Sequence, residues 1–500
     1  MSSARPGATG INPRGTRALR ISHAYPRKDG FTMAAKTSDK PNVLVLNSDS
    51  FRWDNLTVHE GSDIHTPNLD RLAGMSVIFE NAYAGSYPTL PNRTDAFLGT
   101  WTFPNMGWVP LDRNAPTLAQ TLSAGGVNTA LAIDCPHMVQ QGKWFERGFD
   151  SWYWVRGHEN DPLAPMSLVK QMKVPGDEMK YRQPVLALQR HMANQIYRNR
   201  QRDEDYLMAE LSRVAVDTLR QLKNGGPWFM WVDMFDPHEP HDPPQHYFDM
   251  YYPGYKGVTY QVPVYDRCDC YSKDELKAIR AAYLGEVTMV DHWLGFVMEN
   301  VRLLGLDDNT IIIFTSDHGL AYGDHGYTGK NRSPLFGNIA RIPLLVSTPE
   351  MRKAGKSRIV SDLVQPVDFM PTVLEAMGVK PMPGWKGEGK SLMPFLNGKS
   401  VKTREAAFTG SHPAEPNPNT PGGHLRISTR EWSLIFPPNL YGKRAKPMLF
   451  NMKNDIEEKK DVIKGNLKVA RELYAQYCEF YKTFNKNGDP IPAPSPETLL

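Results

Sequence analysis

The stretch PNVLVLNSDS, residues 41–50, decides the class of fold. It is an apolar run that ends abruptly in polar residues, as a buried parallel strand does at its carboxyl end. Further apolar, strand-like runs lie at residues 128–133, 228–232, 310–314 and 343–346. Helical patterns separate these runs, notably at residues 203–222 and 273–304. The alternation predicts an α/β fold, with a sheet covered by helices on both faces.

The character of the sequence changes after about residue 380. A segment rich in glycine and proline precedes four short strand-like pieces, EAAFTG, HLRIS, WSLIFP and MLFN, and a final helical pattern near 466–484. We therefore predict a main α/β domain over residues 41–380. Residues 381–500 are predicted to form a small α+β subdomain with an antiparallel sheet and a terminal helix.

Residues 1–40 are predicted to be a disordered extension outside the fold. This segment contains several arginines, has no acidic residue before Asp29, and lacks the apolar core of a secretory signal. A transit peptide is the alternative. Because no apolar run approaches the length of a membrane-spanning helix, we expect a cytoplasmic protein with no membrane partner.

The overall composition excludes two further classes of protein. The formal net charge is only +4 over 500 residues, and basic residues are interspersed with acidic ones, which argues against a nucleic-acid partner. Four cysteines with irregular spacing are too few for a disulfide framework. We predict that all four are free thiols, as expected in a reducing compartment.

Acidic residues and histidines gather where the predicted strands end. In open α/β sheets, ligands bind outside the carboxyl ends of the strands. Carboxylates and neutral imidazoles also bind divalent cations, although any single one of them could simply be a turn residue. The residues in such positions are Asp49, Asp134, His137, Asp233, Asp236, His238, His241, Asp317 and His318.

Several sequence blocks, in order, resemble the sulfatase branch of the alkaline-phosphatase superfamily. They are NVLVLNSDS, SYPTLPNRTDAFLGT, DPHEP and SDHGLAYGDHGYTGK followed by RIPLLV. The histidine of SDHG makes the chain more similar to phosphonate monoester hydrolases and phosphodiesterases, because many true sulfatases have asparagine there. The resemblance covers about residues 41–436 and implies a large mixed sheet flanked by helices, a small C-terminal sheet and a metal at the strand ends.

The resemblance also implies roles for individual residues. Asp49, Asp317 and His318, together with Thr89, correspond to the ligands of a divalent metal, which could be Mn, Zn or Ca. The motif C-x-P-x-R or S-x-P-x-R falls on residues 89–93, so Arg93 should steady the nucleophile loop. His238 and Lys330 match residues that bind the anionic oxygens and assist the leaving group.

The chain departs from the family pattern at two places. Ser48 precedes Asp49 where sulfatases often have two adjacent acids. The motif GKWH is replaced by GKWF at residues 142–145, several residues too late. Asp134 and His137 are therefore predicted to occupy that corner of the site, His137 as a catalytic residue. Lys143 and His241 remain further candidates for substrate binding.

Thr89 occupies the position of the sulfatase nucleophile. In that family Cys or Ser is oxidised to formylglycine, and threonine cannot be converted by the known route, so no formylglycine is expected. A threonine hydroxyl beside a divalent cation can itself be a nucleophile. Hydrolysis of the resulting phosphothreonine would benefit from a second metal ion. Candidate ligands for that second ion are Asp233, His238, His241, and either His412 or His424.

Three functions remain open. The first is a metal-dependent hydrolase of phosphate or phosphonate esters in which Thr89 is the nucleophile. The second is a sulfatase that acts without formylglycine, and the third is a metal-binding pseudoenzyme that recognises anionic esters. In each case the expected ligand is a small anionic ester. Relatives often form dimers or tetramers, so a homo-oligomer is an open expectation.

Overall fold

The computed structural model describes residues 40–59, 64–413, 423–440, 443–444, 446–486 and 488. The predicted extension, residues 1–40, lies outside the described residues except for Lys40.

The strands of the described residues are β1 Asn42–Ser48, β2 Val77–Ala82, β3 Asn128–Ile133, β4 Ser151–Trp154, β5 Trp228–Met234, β6 Thr310–Thr315, β7 Ala321–Tyr322, β8 Thr328–Gly329, β9 Leu344–Ser347, β10 Arg358–Val364, β11 Ala407–Gly410, β12 Leu425–Ser428, β13 Trp432–Phe436, β14 Asn439–Leu440, β15 Lys443–Arg444 and β16 Met448–Asn451.

The α-helices are α1 Pro67–Ala73, α2 Thr89–Leu98, α3 Leu118–Ala124, α4 Pro136–Val139, α5 Met166–Val169, α6 Leu186–Tyr197, α7 Leu207–Leu222, α8 Gln245–Asp249, α9 Lys273–Leu303, α10 Gly337–Ala340, α11 Pro349–Ala354, α12 Phe369–Ala376, α13 Met393–Leu396 and α14 Leu467–Phe484. Across the described part of the chain, none of these helices combines the length and apolar character needed to cross a membrane.

The main sheet has eight strands in the order β10-β2-β9-β6-β1-β5-β3-β4. Strand β1 lies near its centre and pairs in parallel with β5 and β6, and β3 pairs in parallel with β5. Strand β9 runs antiparallel to β6 and β2, so the sheet is mixed, as predicted. Because β1, β3, β5 and β6 point the same way, their carboxyl ends meet at one edge of the sheet.

Helices bury both faces of this sheet. Leu44 and Leu46 of β1 belong to one apolar core, which also contains residues of α7 and α9. Val43 and Val45, which alternate with them, belong to a second core that contains residues of α2, α3 and α12. The side chains of a strand point alternately to its two faces, so a strand buried on both faces is apolar throughout.

The C-terminal part contains a separate antiparallel sheet, β11-β12-β13-β16, as predicted. Its core includes Phe408 of β11 and Tyr477 and Phe480 of α14. Backbone pairing of Ser86 with Gly410 brings strand β11 next to the loop that precedes α2. The boundary at residue 380 stays a prediction.

Three strands of the main sheet, β2, β4 and β10, were not predicted from the sequence. Strand β4 has the sequence SWYW at the sheet edge, and Trp152 and Tyr153 are about half exposed, so it lacks the pattern of a buried strand. The predicted helix 203–222 begins only at Leu207, because Tyr206 is extended and a 3-10 turn, Asp203–Asp205, precedes it. The predicted free state of all four cysteines matches the structure.

Candidate active site

Arg93 lies at the centre of a buried cluster of three carboxylates at the carboxyl edge of the main sheet. Its Nη1 donates to Asp317 Oδ2 at 2.6 Å, and its Nη2 donates to Asp233 Oδ1 at 2.7 Å. Asp49 Oδ2 lies 3.1 Å from the same Nη2. All four side chains are at most 1% exposed. Arg93 therefore fixes the ends of β1, β5 and β6 relative to helix α2.

The turn after β1 directs Asp49 into this cluster. Ser50 follows with a left-handed backbone, φ 63°, which costs a non-glycine residue about 1–3 kcal/mol. Its backbone N–H donates to Asp317 Oδ1 at 3.0 Å, and its hydroxyl donates to Asp49 Oδ1 at 2.7 Å. These two bonds hold the carboxylates of Asp49 and Asp317 side by side, although the sequence motif gave no role to Ser50.

His318 completes a group of possible metal ligands. Its Nδ1 donates to the Gly319 carbonyl at 3.1 Å, because a carbonyl can only accept. The neutral ring therefore has its lone pair on Nε2, which lies 3.3 Å from Asp317 Oδ2. Within the described residues, Asp49, Asp317 and His318 are the one such group whose ligand atoms all lie within 4.8 Å of one another.

The electrostatics of this group fit a divalent cation. Burial and the neighbouring Asp317 carboxylate raise the pKa of Asp49 to about 8. Apart from its ion pair with Arg93, the buried Oδ2 atom of Asp49 accepts no hydrogen bond within the described structure. Burial lowers the pKa of His318 to about 3, which keeps the imidazole neutral, as a metal ligand must be. A bound cation would offset the charge of two adjacent buried carboxylates.

Thr89 is the first residue of α2 and lies beside this group. Its side chain is buried, and Oγ1 lies 3.2 Å from His318 Nε2. One turn further along the helix, the Asn92 side-chain amide donates to the Asp317 carbonyl at 2.9 Å. The first turn of a helix has unpaired N–H groups and a positive dipole end, which favour an anion.

Asp95 anchors the loops on both sides of α2. Oδ2 of its side chain accepts from the Ser86 amide at 2.6 Å, and Oδ1 accepts from the Ser86 hydroxyl at 2.8 Å. The amide and the hydroxyl of Thr102 both donate to Oδ1 at 2.9 Å. The start of α2, and with it Thr89, is thus tied to its own carboxyl-terminal loop.

Thr89 opens into a pocket of about 140 Å³, which we call the inner pocket. Its lining includes four of the predicted catalytic residues, Thr89, His137, His238 and Lys330. Lys330 Nζ lies 3.2 Å from His318 Nε2, and the Tyr87 hydroxyl donates to the Lys330 carbonyl at 2.9 Å. The structure therefore places Lys330 next to the candidate metal ligands, although 241 positions separate it from Thr89 in the sequence.

His238 is a neutral base in this pocket. Nδ1 of its ring donates to the Glu239 carbonyl at 2.6 Å, which leaves the lone pair on Nε2. Burial, reinforced by the charges of Lys330 and Arg182, holds the pKa of His238 well below its usual range. His137 lies beside it, with the two ring centroids 6.4 Å apart.

Several predicted residues lie away from the inner pocket. Asp134 lies 3.1 Å from His158 and accepts from the Phe235 amide at 2.7 Å. His241 lies between Glu286 and Tyr322, 2.9 Å and 2.7 Å away.

Asp233, a candidate ligand for a second metal, is instead the partner of Arg93. Lys143 lines a neighbouring pocket. Asp134, Lys143 and His241 stay predictions as substrate-binding residues.

Sequence reasoning missed a charged network in the wall of the inner pocket. Arg182 lines the pocket and pairs with both Glu159 and Glu239. Glu159 in turn lies 2.9 Å from His137 Nε2, and its backbone is left-handed with φ 37°. Arg182 and Glu159 stand in irregular segments with no motif around them, so the sequence offered no signal that could have identified them. Glu239 lies within DPHEP, where the resemblance gave a role only to His238.

The chain matches two known family models. The model described as Sulfatase covers residues 41–379, and the model described as N-sulphoglucosamine sulphohydrolase, C-terminal, covers residues 323–482. Among curated proteins, the chain is 25% identical over 487 residues to the ulvan-active sulfatase of Formosa agariphila, covering 91% of this chain and 87% of that protein. It is 26% identical over 429 residues to the multifunctional alkaline phosphatase superfamily protein PehA of Trinickia caryophylli, covering 71% and 77% of the two chains.

Solved structures share the fold. The phosphonate monoester hydrolase of Agrobacterium radiobacter superposes with a TM-score of 0.67 at 21% identity, covering 89% of this chain and 96% of that one. The structure of BT4656 in complex with D-glucosamine-2-N,6-O-disulfate gives the same TM-score at 20% identity, covering 90% and 99%. At these identities the likeness supports the fold alone.

Proposed function

Because the chain belongs to the sulfatase family and is a hydrolase of ester bonds, we propose that it is a metal-dependent hydrolase of phosphate or phosphonate esters with Thr89 as its nucleophile. One observation carries this proposal. The Thr89 hydroxyl lies 3.2 Å from His318 Nε2, at the start of a helix and in the wall of a pocket. A hydroxyl at the start of a helix, beside candidate metal ligands and open to a pocket, supports a role as nucleophile toward an anionic ester.

Asp49, Asp317, His318 and the Thr89 hydroxyl would hold the divalent cation. When bound, such a cation makes a nearby hydroxyl more acidic and neutralises charge on the ester oxygens. Arg93 supports the same arrangement, because its guanidinium pairs with both Asp49 and Asp317 and so orients their carboxylates. The N-terminal turn of α2 faces the developing negative charge with its positive end.

The hydroxyl proton of Thr89 would pass to solvent water, and Oγ1 would form a bond to phosphorus while the bond from phosphorus to the ester oxygen breaks. The departing oxygen needs a proton, and the Lys330 ammonium, which lines the same pocket, can donate one from Nζ. The product of this step is a phosphothreonine and a free alcohol.

Water would then attack the phosphorus of the phosphothreonine and release Thr89 Oγ1, which regains its proton from solvent water. His238 Nε2 carries a lone pair and can accept the proton of that water. The low pKa of His238 keeps this lone pair available at neutral pH. Phosphate or phosphonate leaves, and transfer of a proton from His238 to Lys330 through solvent water restores the original protonation states.

Sulfate ester hydrolysis is the second candidate function. The observation in its favour is that several relatives are named as sulfatases. One of them is an arylsulfatase of Clostridium perfringens, which is 24% identical over 469 residues, covering 85% of this chain and 90% of that protein. A threonine at the nucleophile position disfavours it, because a formylglycine hydrate can expel sulfate from carbon whereas a sulfated threonine cannot.

A panel of four substrates separates the two functions. Purified protein with Mn²⁺, Zn²⁺ or Ca²⁺ is assayed on 4-nitrophenyl sulfate, 4-nitrophenyl phosphate, a phosphodiester and a phosphonate monoester. We expect the phosphorus esters to give the higher kcat/KM. Faster turnover of the sulfate would overturn the proposal, and an absence of turnover with stoichiometric metal would favour a pseudoenzyme.

A further inference from the structure

A second pocket continues outward from the inner pocket. This outer pocket has a volume of about 640 Å³, and it shares Trp108, His137, Asn160 and Leu186 with the inner pocket. His137 connects the two, because its ring lies 6.4 Å from His238 on one side and 5.4 Å from Trp108 on the other. An ester bound at Thr89 would therefore extend its leaving group into the outer pocket.

The charge of the outer pocket is positive. Its lining includes Lys143, Arg156 and Arg190 but, among the residues described, no aspartate or glutamate. Arg156 is neutralised, because Nη2 donates to Asp161 at 2.5 Å. The other two cations have no carboxylate partner in the part of the chain that is described, which leaves their charge available for a ligand.

Lys143 and Arg190 also lack strong neutral partners. The Arg190 guanidinium contacts only the Asn160 carbonyl at 3.4 Å and the Met166 sulfur at 3.8 Å, and its buried Nε makes no hydrogen bond within the described structure. Burial lowers the pKa of Lys143. Partly buried cations without acceptors are costly unless a ligand supplies the acceptors.

The loop that carries Lys143 is locally strained. Gln141 and Trp144, on either side of Lys143, both have left-handed backbones, with φ of 54° and 59°. The Arg113 guanidinium stacks 3.5 Å from the centre of the Trp144 ring, and the Leu111 amide donates to the Lys143 carbonyl at 3.0 Å. Such strain persists only where the surroundings hold it, and it concentrates at ligand-binding segments.

We propose that the outer pocket binds a second anionic group, carried on the leaving-group side of the ester, through Lys143 and Arg190. The rings of Trp108 and Trp154 in the same wall provide flat apolar surface for a ring that carries this group. The substrate class is thus an ester with two anions, one at Thr89 and one on a cyclic leaving group. This inference rests on the proposed function only for the position of the ester.

Binding rather than turnover tests this inference. Dissociation constants of phenylphosphonate and of 3- and 4-carboxyphenylphosphonate, which cannot be hydrolysed as esters, are measured by calorimetry on the Mn²⁺-loaded protein. We expect at least one carboxylated ligand to bind about tenfold more tightly than phenylphosphonate, as one charge-assisted contact allows. Lys143→Met and Arg190→Met should each reduce this ratio, whereas Lys143→Arg should preserve it.

The exposed Lys170 provides a matched control, because Lys170→Met removes a similar charge outside both pockets. The ratio should be unchanged in this variant, and thermal melting checks that every variant is folded. A ratio near one in the wild type, or a ratio insensitive to Lys143 and Arg190, would overturn the inference. Failure of all three ligands to bind would also overturn it, whereas a failure of the proposed catalysis would appear only in the ester assays.

Discussion

At the scale of single residues, the proposed chemistry depends on Thr89. If its hydroxyl is the nucleophile, Thr89→Ala should lower kcat by at least about 10³-fold, because the whole covalent route is lost. Thr89→Ser should retain much more activity, since it keeps the attacking oxygen. Thr94→Ala is the matched control, because Thr94 is a buried threonine of the same helix whose hydroxyl donates to the Leu90 carbonyl, its one side-chain partner among the described residues. Equal activity of Thr89→Ala and Thr94→Ala would contradict the role of Thr89.

Arg93 is the buried cation that pairs with all three carboxylates of the site. Arg93→Met would leave the carboxylates of Asp49, Asp233 and Asp317 buried without their cation. Breaking a buried ion pair from one side costs about 3–5 kcal/mol of unfolding free energy, which urea titration of the metal-free protein can measure. The exposed Arg71 serves as control, since Arg71→Met should change stability by about 0.5 kcal/mol or less. A cost below about 1 kcal/mol for Arg93→Met would contradict this account.

At the scale of elements, the position of α2 depends on its flanking loops. Gly85 lies in the loop that leads into α2, and a Cβ at this position would overlap Asp95 Oδ2. Gly85→Ala should therefore destabilise the protein by about 1–3 kcal/mol and lower kcat more than it raises KM, because Thr89 shifts with the helix. Gly465→Ala, where a Cβ meets no atom within 4 Å, is the control. Wild-type kinetics in Gly85→Ala would show that Thr89 is positioned by something else.

A second link between elements predicts a dependence on pH. Asp242, in the loop after β5, accepts from Arg200 at 2.6 Å and lies 3.2 Å from His191 of α6. Burial by itself would raise the pKa of Asp242, but Arg200 and His191 hold it well below its usual range. Its stabilising effect is therefore complete above the unfolded pKa of about 4 and is lost as the pH falls below that value.

The comparison of wild type with Asp242→Asn isolates this effect. The difference in unfolding free energy should be constant from about pH 5 to 8 and should shrink below about pH 4, as urea titrations at several pH values would reveal. A difference that stays constant through the acid range would mean that Asp242 keeps its ordinary pKa in the folded protein.

At the scale of the whole molecule, the parts of the fold and site that the sequence predicts are those marked by a local residue pattern. The apolar runs of β1, β3, β5 and β6 identified the central strands, and the rule that ligands lie at strand ends brought Asp49 and Asp317 together correctly. Strand β4 was not predicted, because an exposed edge strand lacks the apolar residue pattern of a buried strand. Arg182 was not predicted as a pocket residue. Its place in the pocket depends on how the loops pack, and the residues next to it in the sequence do not indicate that packing.

A bound cation should stabilise the whole molecule. A metal that binds only the folded state adds about 2.7 kcal/mol at a concentration 100 times its dissociation constant, so Tm should fall when EDTA removes it. Asp317→Asn should abolish this response, because it removes a ligand charge from the group of Asp49, Asp317 and His318. Asp269→Asn, at an exposed site, should respond like the wild type. Melting curves insensitive to EDTA in the wild type would contradict a metal held by these residues.

The central claim is that the ester's phosphorus becomes bonded to Thr89, and trapping that intermediate tests it most directly. Holoenzyme mixed with a phosphorus ester is quenched in acid during the first turnover, digested and analysed by mass spectrometry. The account predicts that the peptide containing Thr89 transiently gains the mass of the transferred group, with fragment ions placing it on that residue, and that Thr89→Ala shows no such gain. Release of product without any modified Thr89, or modification of another residue, would contradict it.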